Sequence, residues 1–150
     1  MNTDKKISRR EALKRMGFAV MSGAIASSGL LSLASCETKR SKRIIFYFTG
    51  TGNSLYIARQ LAGENAELLS IPQMVKRGKY EFEADEIGIV YPIYGHMPPY
   101  MVRQFIQKAK LKAEYKFAVL TYGARKCDAV EIWDRISRKA DNAFDYINTI

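Results

Sequence analysis

The segment from Arg43 to Ser54 constrains the fold of this chain more than any other part of its sequence. An apolar, aromatic-rich run, RIIFYF, leads directly into the small polar sequence TGTGNS, and apolar residues at helical spacing follow. A buried strand, a glycine-containing loop and the first turn of a helix form a common phosphate site in α/β proteins, because free N–H groups of the first helical turn point at the anion. The segment therefore predicts a site for a terminal phosphate group.

This loop differs from two better-known phosphate loops. No lysine lies between Arg43 and Arg59, so the Gly-Lys-Ser/Thr ending of a nucleoside-triphosphatase loop is absent. A dinucleotide-binding fingerprint would need a third glycine three residues after Gly52, where this chain has Leu55. The remaining interpretations are an uncharged site for one phosphate and an ordinary strand-to-helix turn with a capping side chain.

Strand and helix patterns alternate along the rest of the chain. The sequence predicts strands at 43–48, 67–71, 86–91, 116–121 and 143–150, and helices at 54–62, 98–110 and 128–139. Met101, Val102, Phe105 and Ile106 are expected to form the inner face of the second helix, and Val130, Trp133 and Ile136 that of the third. No element is predicted between 73 and 84. This alternation indicates an α/β fold with a doubly wound parallel sheet.

In an open α/β sheet, ligands bind outside the carboxyl ends of the strands. Three loops leave those ends in the predicted sheet, at 49–54, 92–99 and 121–124. Because the last predicted strand, 143–150, has no closing helix after it, we expect the domain to be truncated at its C-terminus.

The first loop, TGTGNS, resembles the FMN-phosphate loop of flavodoxins, whose pattern is Ser/Thr-x-Thr-Gly-x-Ser/Thr. The longer run from Phe46 to Ala58 is similar to flavodoxin-like domains that precede a ferredoxin module in some bacterial proteins. The resemblance covers 43–150. It implies bound FMN and a flavodoxin-like, doubly wound, five-stranded parallel sheet.

The same resemblance implies which residues contact the cofactor. The second and third loops would bracket the isoalloxazine ring, with Tyr94 and Tyr122 as candidates to lie against it. Packing or surface roles for these two tyrosines remain open alternatives. The implied cofactor-binding residues are Thr49, Gly50, Thr51, Gly52, Asn53, Ser54, Pro92, Ile93, Tyr94, Gly95, Thr121, Tyr122, Gly123 and Ala124.

The N-terminal 36 residues are typical of an export signal. A basic head precedes an uncharged stretch, Met16 to Cys36, rich in Ala, Ser, Gly and Leu. The sequence SRREALK around Arg9 and Arg10 resembles a twin-arginine motif. The ending LASC resembles a bacterial lipobox, which implies lipidation of Cys36 and anchoring in a membrane of the cell envelope. An uncleaved transmembrane anchor is the alternative. Residues 37–42 are predicted to be a tether.

Composition excludes several other classes of function. The chain carries a formal net charge of +9, but aromatic residues do not interleave with its basic ones, so nucleic acid is not an expected partner. Besides Cys36 the chain has Cys127 alone, and it has one histidine, His96. We therefore expect no internal disulfide and no iron–sulfur or zinc site.

These observations lead to three hypotheses about function. The first is an FMN-binding electron carrier of the cell envelope, whose redox partner protein the sequence does not identify. The second is a flavin-dependent NAD(P)H:quinone-type oxidoreductase, because the same fold serves both activities. The third is an envelope lipoprotein that keeps the fold as an interaction module and binds no flavin.

Overall fold

The computed structural model describes residues 42–150. The predicted export signal, with Arg9, Arg10 and Cys36, lies outside the described residues, as does the predicted tether except for Lys42. The elements in chain order are β1 (Arg43–Tyr47), α1 (Asn53–Ala62), β2 (Ala66–Ser70), α2 (Ile71–Arg77), β3 (Glu81–Glu83), β4 (Glu86–Pro92), α3 (Tyr100–Lys108), β5 (Lys110–Lys112), β6 (Tyr115–Thr121), α4 (Ala129–Lys139) and β7 (Tyr146–Thr149).

The main sheet has five strands in the order β2-β1-β4-β6-β7, and every neighbouring pair is parallel. Numbering only its own strands along the chain gives the order 2-1-3-4-5, which is that of flavodoxin-like folds. The predicted α/β, doubly wound, five-stranded parallel sheet is therefore confirmed. Strands β3 and β5 form a separate two-stranded parallel sheet.

Two apolar clusters cover the two faces of the main sheet. Helix α1 packs Ala58 and Ala62 against strand residues such as Ile45 and Val90 on one face. Helices α2, α3 and α4 contribute to the larger cluster on the other face, around Phe105 and Trp133. Burial of both faces explains why the central strands are apolar without alternation.

Several local predictions need correction. The stretch 73–84, for which no element is predicted, contains most of α2 and all of β3. Pro72, which directly follows the second predicted strand, lies in the first turn of α2, where its missing N–H costs no hydrogen bond. The helix predicted to reach Lys110 ends at Lys108, and Met101 on it is 41% exposed rather than internal. The last strand is limited to Tyr146–Thr149.

Helix α4 confirms its predicted inner face at Trp133, which is fully buried, while Val130 and Ile136 are half-buried. Ala129 and Ser137 complete the buried side of this helix. None of the helices within 42–150 combines the length and apolar character needed to cross a membrane.

Candidate functional site

The first loop connects β1 to α1 at the carboxyl edge of the sheet. Phe48 extends the strand by donating its N–H to the carbonyl of Val90, at 2.9 Å. Gly52 has φ 98° and ψ −20°, a left-handed conformation that favours glycine. Its N–H donates to Oγ1 of Thr49 at 2.9 Å, which closes the loop on itself. The loop conformation therefore depends on glycine at position 52 and a hydroxyl at 49.

Helix α1 begins without a side-chain cap. Gly52 occupies the N-cap position, no side chain of the described residues accepts an N–H of the first helical turn, and that turn carries no acidic residue. The first N–H groups of a helix have no partners within the helix, so those of α1 face the exposed loop of Thr51, Gly52 and Asn53. The alternative interpretation, an ordinary turn with a capping side chain, would require a cap that the structure does not show. The N-terminus of α1 can therefore accept an anion.

Ser54 differs from its neighbours because its side chain is buried. Its Oγ lies 2.9 Å from Oγ1 of Thr121, and either hydroxyl can donate. Ser54 is 2% exposed and Thr121 is 8% exposed. This pair fastens the first turn of α1 to the end of β6. The exposed side-chain donors of the first loop are accordingly Thr51 and Asn53.

The second loop is a tight turn after β4. Tyr94 and Met97 exchange backbone hydrogen bonds of 3.0 and 3.1 Å, and the turn between them places Gly95 at φ 55° and His96 at φ 71°. The ring of Tyr94 packs edge-on against Phe48, with centroids 6.5 Å apart. Its hydroxyl lies so close to Gly50 that a Cβ there would be 2.5 Å away. Tyr94 thus leans over the first loop.

The third loop follows β6 and is exposed. Tyr122 is 39% exposed, and its N–H donates to the carbonyl of Ile150 at 3.1 Å. Gly123 and Ala124 are exposed, and a Cβ added at Gly123 would meet no atom within 4 Å. The loop is joined to the second one where the N–H of Ile93 donates to Thr121 at 2.8 Å.

The three predicted loops therefore meet at one edge of the sheet. Thr49–Ser54 and Pro92–Gly95 lie beside each other, because β1 and β4 are neighbours and Tyr94 reaches Gly50. The chain turns to opposite sides after these two strands, toward β2 after β1 and toward β6 after β4. Such a topological switch point is where open α/β sheets form a crevice for a ligand.

Two contributors to this edge were missed by the sequence analysis. Phe48 packs on Tyr94, and Met97 holds the backbone of Tyr94. Phe48 could have been identified from the sequence, because it directly precedes the phosphate-loop pattern. Nothing in the sequence distinguishes Met97. Within 42–150, no cluster of His, Cys, Asp and Glu has the arrangement of a metal site.

Comparisons with known proteins agree with this fold. No protein-family model matches the sequence, and no curated protein sequence matches it. Among solved structures, the chain is similar to a flavoprotein in complex with FMN from Lactobacillus acidophilus NCFM, at 12% identity and a TM-score of 0.53, covering 73% of this chain and 93% of the other. It is also similar to two-electron reduced flavodoxin from Megasphaera elsdenii, at 16% identity and a TM-score of 0.52, covering 71% of this chain and 84% of the other.

Proposed function

We propose that this chain binds FMN at the carboxyl edge of its main sheet and serves as an electron carrier. The observation that carries the proposal is the uncapped N-terminus of α1 beside the switch point between β1 and β4. An uncapped helix terminus favours a phosphate group through its free N–H groups and its dipole. The similar fold of a flavoprotein with FMN and of a flavodoxin supports flavin as the ligand.

The first loop fits a terminal phosphate. The N–H groups of the first turn of α1 would hold it, with the exposed side chains of Thr51 and Asn53 as further donors. Gly50 has no room for a side chain beneath the Tyr94 hydroxyl, so that hydroxyl already lies over the loop. Because the loop contains no basic side chain, hydrogen bonds would hold the phosphate. Such bonds suffice more readily here because hydrogen bonds to a charged oxygen are stronger than neutral ones.

Tyr94 and Tyr122 are the candidate contacts for the isoalloxazine ring. Both are exposed, at 51% and 39%, on loops that leave neighbouring strands. Bound FMN would supply the redox chemistry, while the protein supplies binding, orientation and the surrounding electrostatics. An aromatic contact contributes about 0.5–1.5 kcal/mol beyond the burial of its area.

A titration with FMN and riboflavin tests the phosphate site. Thr51→Ala should weaken FMN binding by about tenfold or more, because a hydrogen bond to a charged group contributes about 1.5–3 kcal/mol. Riboflavin, which lacks the phosphate, should bind the variant and the wild type alike. Asn65→Ala, an exposed change beyond the opposite end of α1, is the matched control and should leave both affinities unchanged.

The same purified protein separates the competing functions. Absence of flavin colour and of any FMN affinity would contradict the proposal and favour an interaction module. Steady-state oxidation of NAD(P)H with a quinone would instead favour the oxidoreductase. Equal loss of FMN and riboflavin in Thr51→Ala would show that Thr51 does not act on the phosphate.

We also propose that the domain works at the cell envelope. The N-terminal sequence supports export by the twin-arginine route and lipidation of Cys36, which would hold the domain on a membrane near a redox partner protein. A single acyl chain gives only marginal anchoring, whereas the two chains of a diacylated cysteine hold a protein stably on a membrane. Mass spectrometry of the mature N-terminus tests this: an unmodified Cys36 within an intact N-terminal segment would favour a transmembrane anchor.

A further inference from the structure

Helices α3 and α4 line an open cavity of about 480 Å³ on the face of the sheet opposite α1. Arg103 and Gln107 line it from α3, one helical turn apart, and Arg135 and Lys139 line it from α4 with the same spacing. Met97 and Ile136 add apolar surface. The cavity is therefore lined by three cationic side chains around an apolar patch, and its size falls in the usual range for small-molecule sites.

Arg103 is the informative residue of this cavity. Its Nε atom is buried and has no hydrogen-bond acceptor among the described residues. The guanidinium group contacts the ring of Tyr100, with Cζ 6.0 Å from the ring centroid, but an aromatic face does not satisfy the Nε–H donor as a carboxylate or phosphate oxygen would. A buried donor of a charged group without an acceptor is costly, and no protein acceptor among the described residues offsets that cost at Arg103.

The other two cations of the cavity also lack carboxylate partners within 42–150. The ion pairs of the described residues join Arg43 to Glu86, Lys110 to Glu81 and Arg138 to Asp134. No acidic residue lines the cavity. Arg138 lies on the same helix as Arg135 and is neutralised by Asp134 at 2.8 Å, so the positive charge of α4 is left on the side that faces the cavity.

We propose that this cavity is a second anion site, which binds the phosphate group of a small soluble organic phosphate. Two arginines and a lysine provide planar and point-charge donors of the kind that phosphate oxygens prefer. Met97 and Ile136 provide apolar surface for the organic part of the ligand. This site requires no flavin and shares no residue with the first loop.

The cavity lies next to the carboxyl edge of the sheet, which carries the proposed FMN site. Met97 lines the cavity and is paired through its backbone with Tyr94, which leans on Gly50. A ligand in the cavity therefore contacts the turn that positions Tyr94. If both sites bind their ligands, each ligand changes the affinity for the other by the same factor.

Titration of the full chain with inorganic pyrophosphate, followed by calorimetry and amide chemical shifts at low ionic strength, tests the proposal. Pyrophosphate should bind and shift amides of α3 and α4, and Arg103→Gln should weaken binding by about tenfold, since it removes a charge-assisted hydrogen bond. Arg138→Gln, the matched control on α4, should leave the affinity unchanged because its charge is already paired. Thr51→Ala should also leave it unchanged.

Three results would overturn the proposal. The first is the absence of binding at millimolar pyrophosphate, and the second is an equal loss of pyrophosphate affinity in Arg138→Gln and Arg103→Gln. The third is a loss of pyrophosphate affinity in Thr51→Ala alone, because that result would place the anion at the first loop. Vesicles with and without phosphatidylglycerol distinguish a lipid headgroup. Binding to anionic vesicles that depends on Arg103, without binding of pyrophosphate, would rule out a soluble ligand. Because pyrophosphate binding is read without flavin, failure here leaves the FMN proposal untouched.

Discussion

Asn142 connects helices α3 and α4 to strand β5 through its side-chain amide. Its Oδ1 accepts the N–H of Leu111 at 3.1 Å, and its Nδ2 lies 2.8–3.2 Å from the carbonyls of Ile106, Ala109 and Ala140. The residue is fully buried. The amide therefore satisfies backbone groups at the ends of two helices that have no partner within those helices.

Replacing this amide should be strongly destabilising. Asn142→Ala leaves the Leu111 N–H and several carbonyls buried without partners, and each such group costs about 1–3 kcal/mol. We expect a loss of about 3 kcal/mol in the free energy of unfolding, measured in urea. Asn148→Ala is the control, because Asn148 is exposed and its side chain bonds only the N–H of its neighbour Thr149. A loss below about 1 kcal/mol for Asn142→Ala would show that water replaces the amide.

Tyr91 shows the opposite situation. It is fully buried against Trp133, with ring centroids 4.9 Å apart, and its hydroxyl has no hydrogen-bond partner among the described residues. Tyr91→Phe removes an unsatisfied polar group and should leave stability unchanged or raise it by about 1 kcal/mol. A clear loss in urea unfolding would show that a buried water bonds this hydroxyl.

The same residue predicts a dependence on alkaline pH. Burial raises the pKa of Tyr91 well above its usual value of 10.0, because it disfavours the charged phenolate. The stability linked to Tyr91 is thus fully present below pH 10.0 and is lost as the pH rises toward the pKa in the folded protein. Unfolding measured at several alkaline pH values should show a shallower loss for Tyr91→Phe than for the wild type.

At the scale of elements, Gly88 of β4 allows β6 to pack closely beside it. The two residues Gly88 and Phe117 are register partners, and the Phe117 ring folds across the glycine. A Cβ at position 88 would lie 2.7 Å from Cε2 and 3.0 Å from Cε1 of that ring. The Phe117 ring belongs to the apolar cluster between the sheet and α1, together with Val90 and Val119.

Gly88→Ala should therefore displace Phe117 and cost about 1–3 kcal/mol, as overpacking of a core does. A double-mutant cycle with Phe117→Leu tests whether contact with the Phe117 ring causes this loss. When Phe117→Leu is already present, the same alanine should cost less, giving a coupling energy above about 0.5 kcal/mol. Additive losses would mean that the backbone, and not the ring, resists the methyl group.

The elements that the sequence predicted and those it missed differ in where their stabilisation comes from. Strands β1, β4 and β6 of the main sheet carry several consecutive apolar residues, so the local pattern identifies them. Strands β3 and β5, by contrast, read Glu81-Phe82-Glu83 and Lys110-Leu111-Lys112, each with one apolar residue between two charges. They become strands by pairing with each other across the chain, with an ion pair of 2.7 Å between Glu81 and Lys110.

The candidate site shows the same division. The positions of its three loops follow from where buried strands end, so the sequence was sufficient to predict them. The contact of Tyr94 with Gly50 and the bond between Ser54 and Thr121 depend on distances between residues far apart in the chain. No local pattern contains that information.

At the scale of the whole molecule, the proposed export requires a definite order of cofactor loading and transport. The proposed FMN site is assembled from three loops of the folded sheet, so the unfolded chain has no such site. A folded, loaded protein needs a transport route that accepts folded cargo, which the twin-arginine resemblance implies. A protein exported unfolded would have to acquire FMN outside the cytoplasm.

Replacement of the arginine pair tests this order. The double change Arg9→Lys with Arg10→Lys keeps the positive charge of the N-terminal head but removes the arginine pair. Mature protein should then disappear from the envelope fraction, and flavin-loaded precursor should remain in the cytoplasm. Arg15→Lys, which keeps the pair, is the control and should be delivered normally. Fractionation with measurement of bound flavin decides the outcome. Normal delivery of the double variant would indicate the general secretory route, and flavin in that delivered protein would place cofactor loading after export.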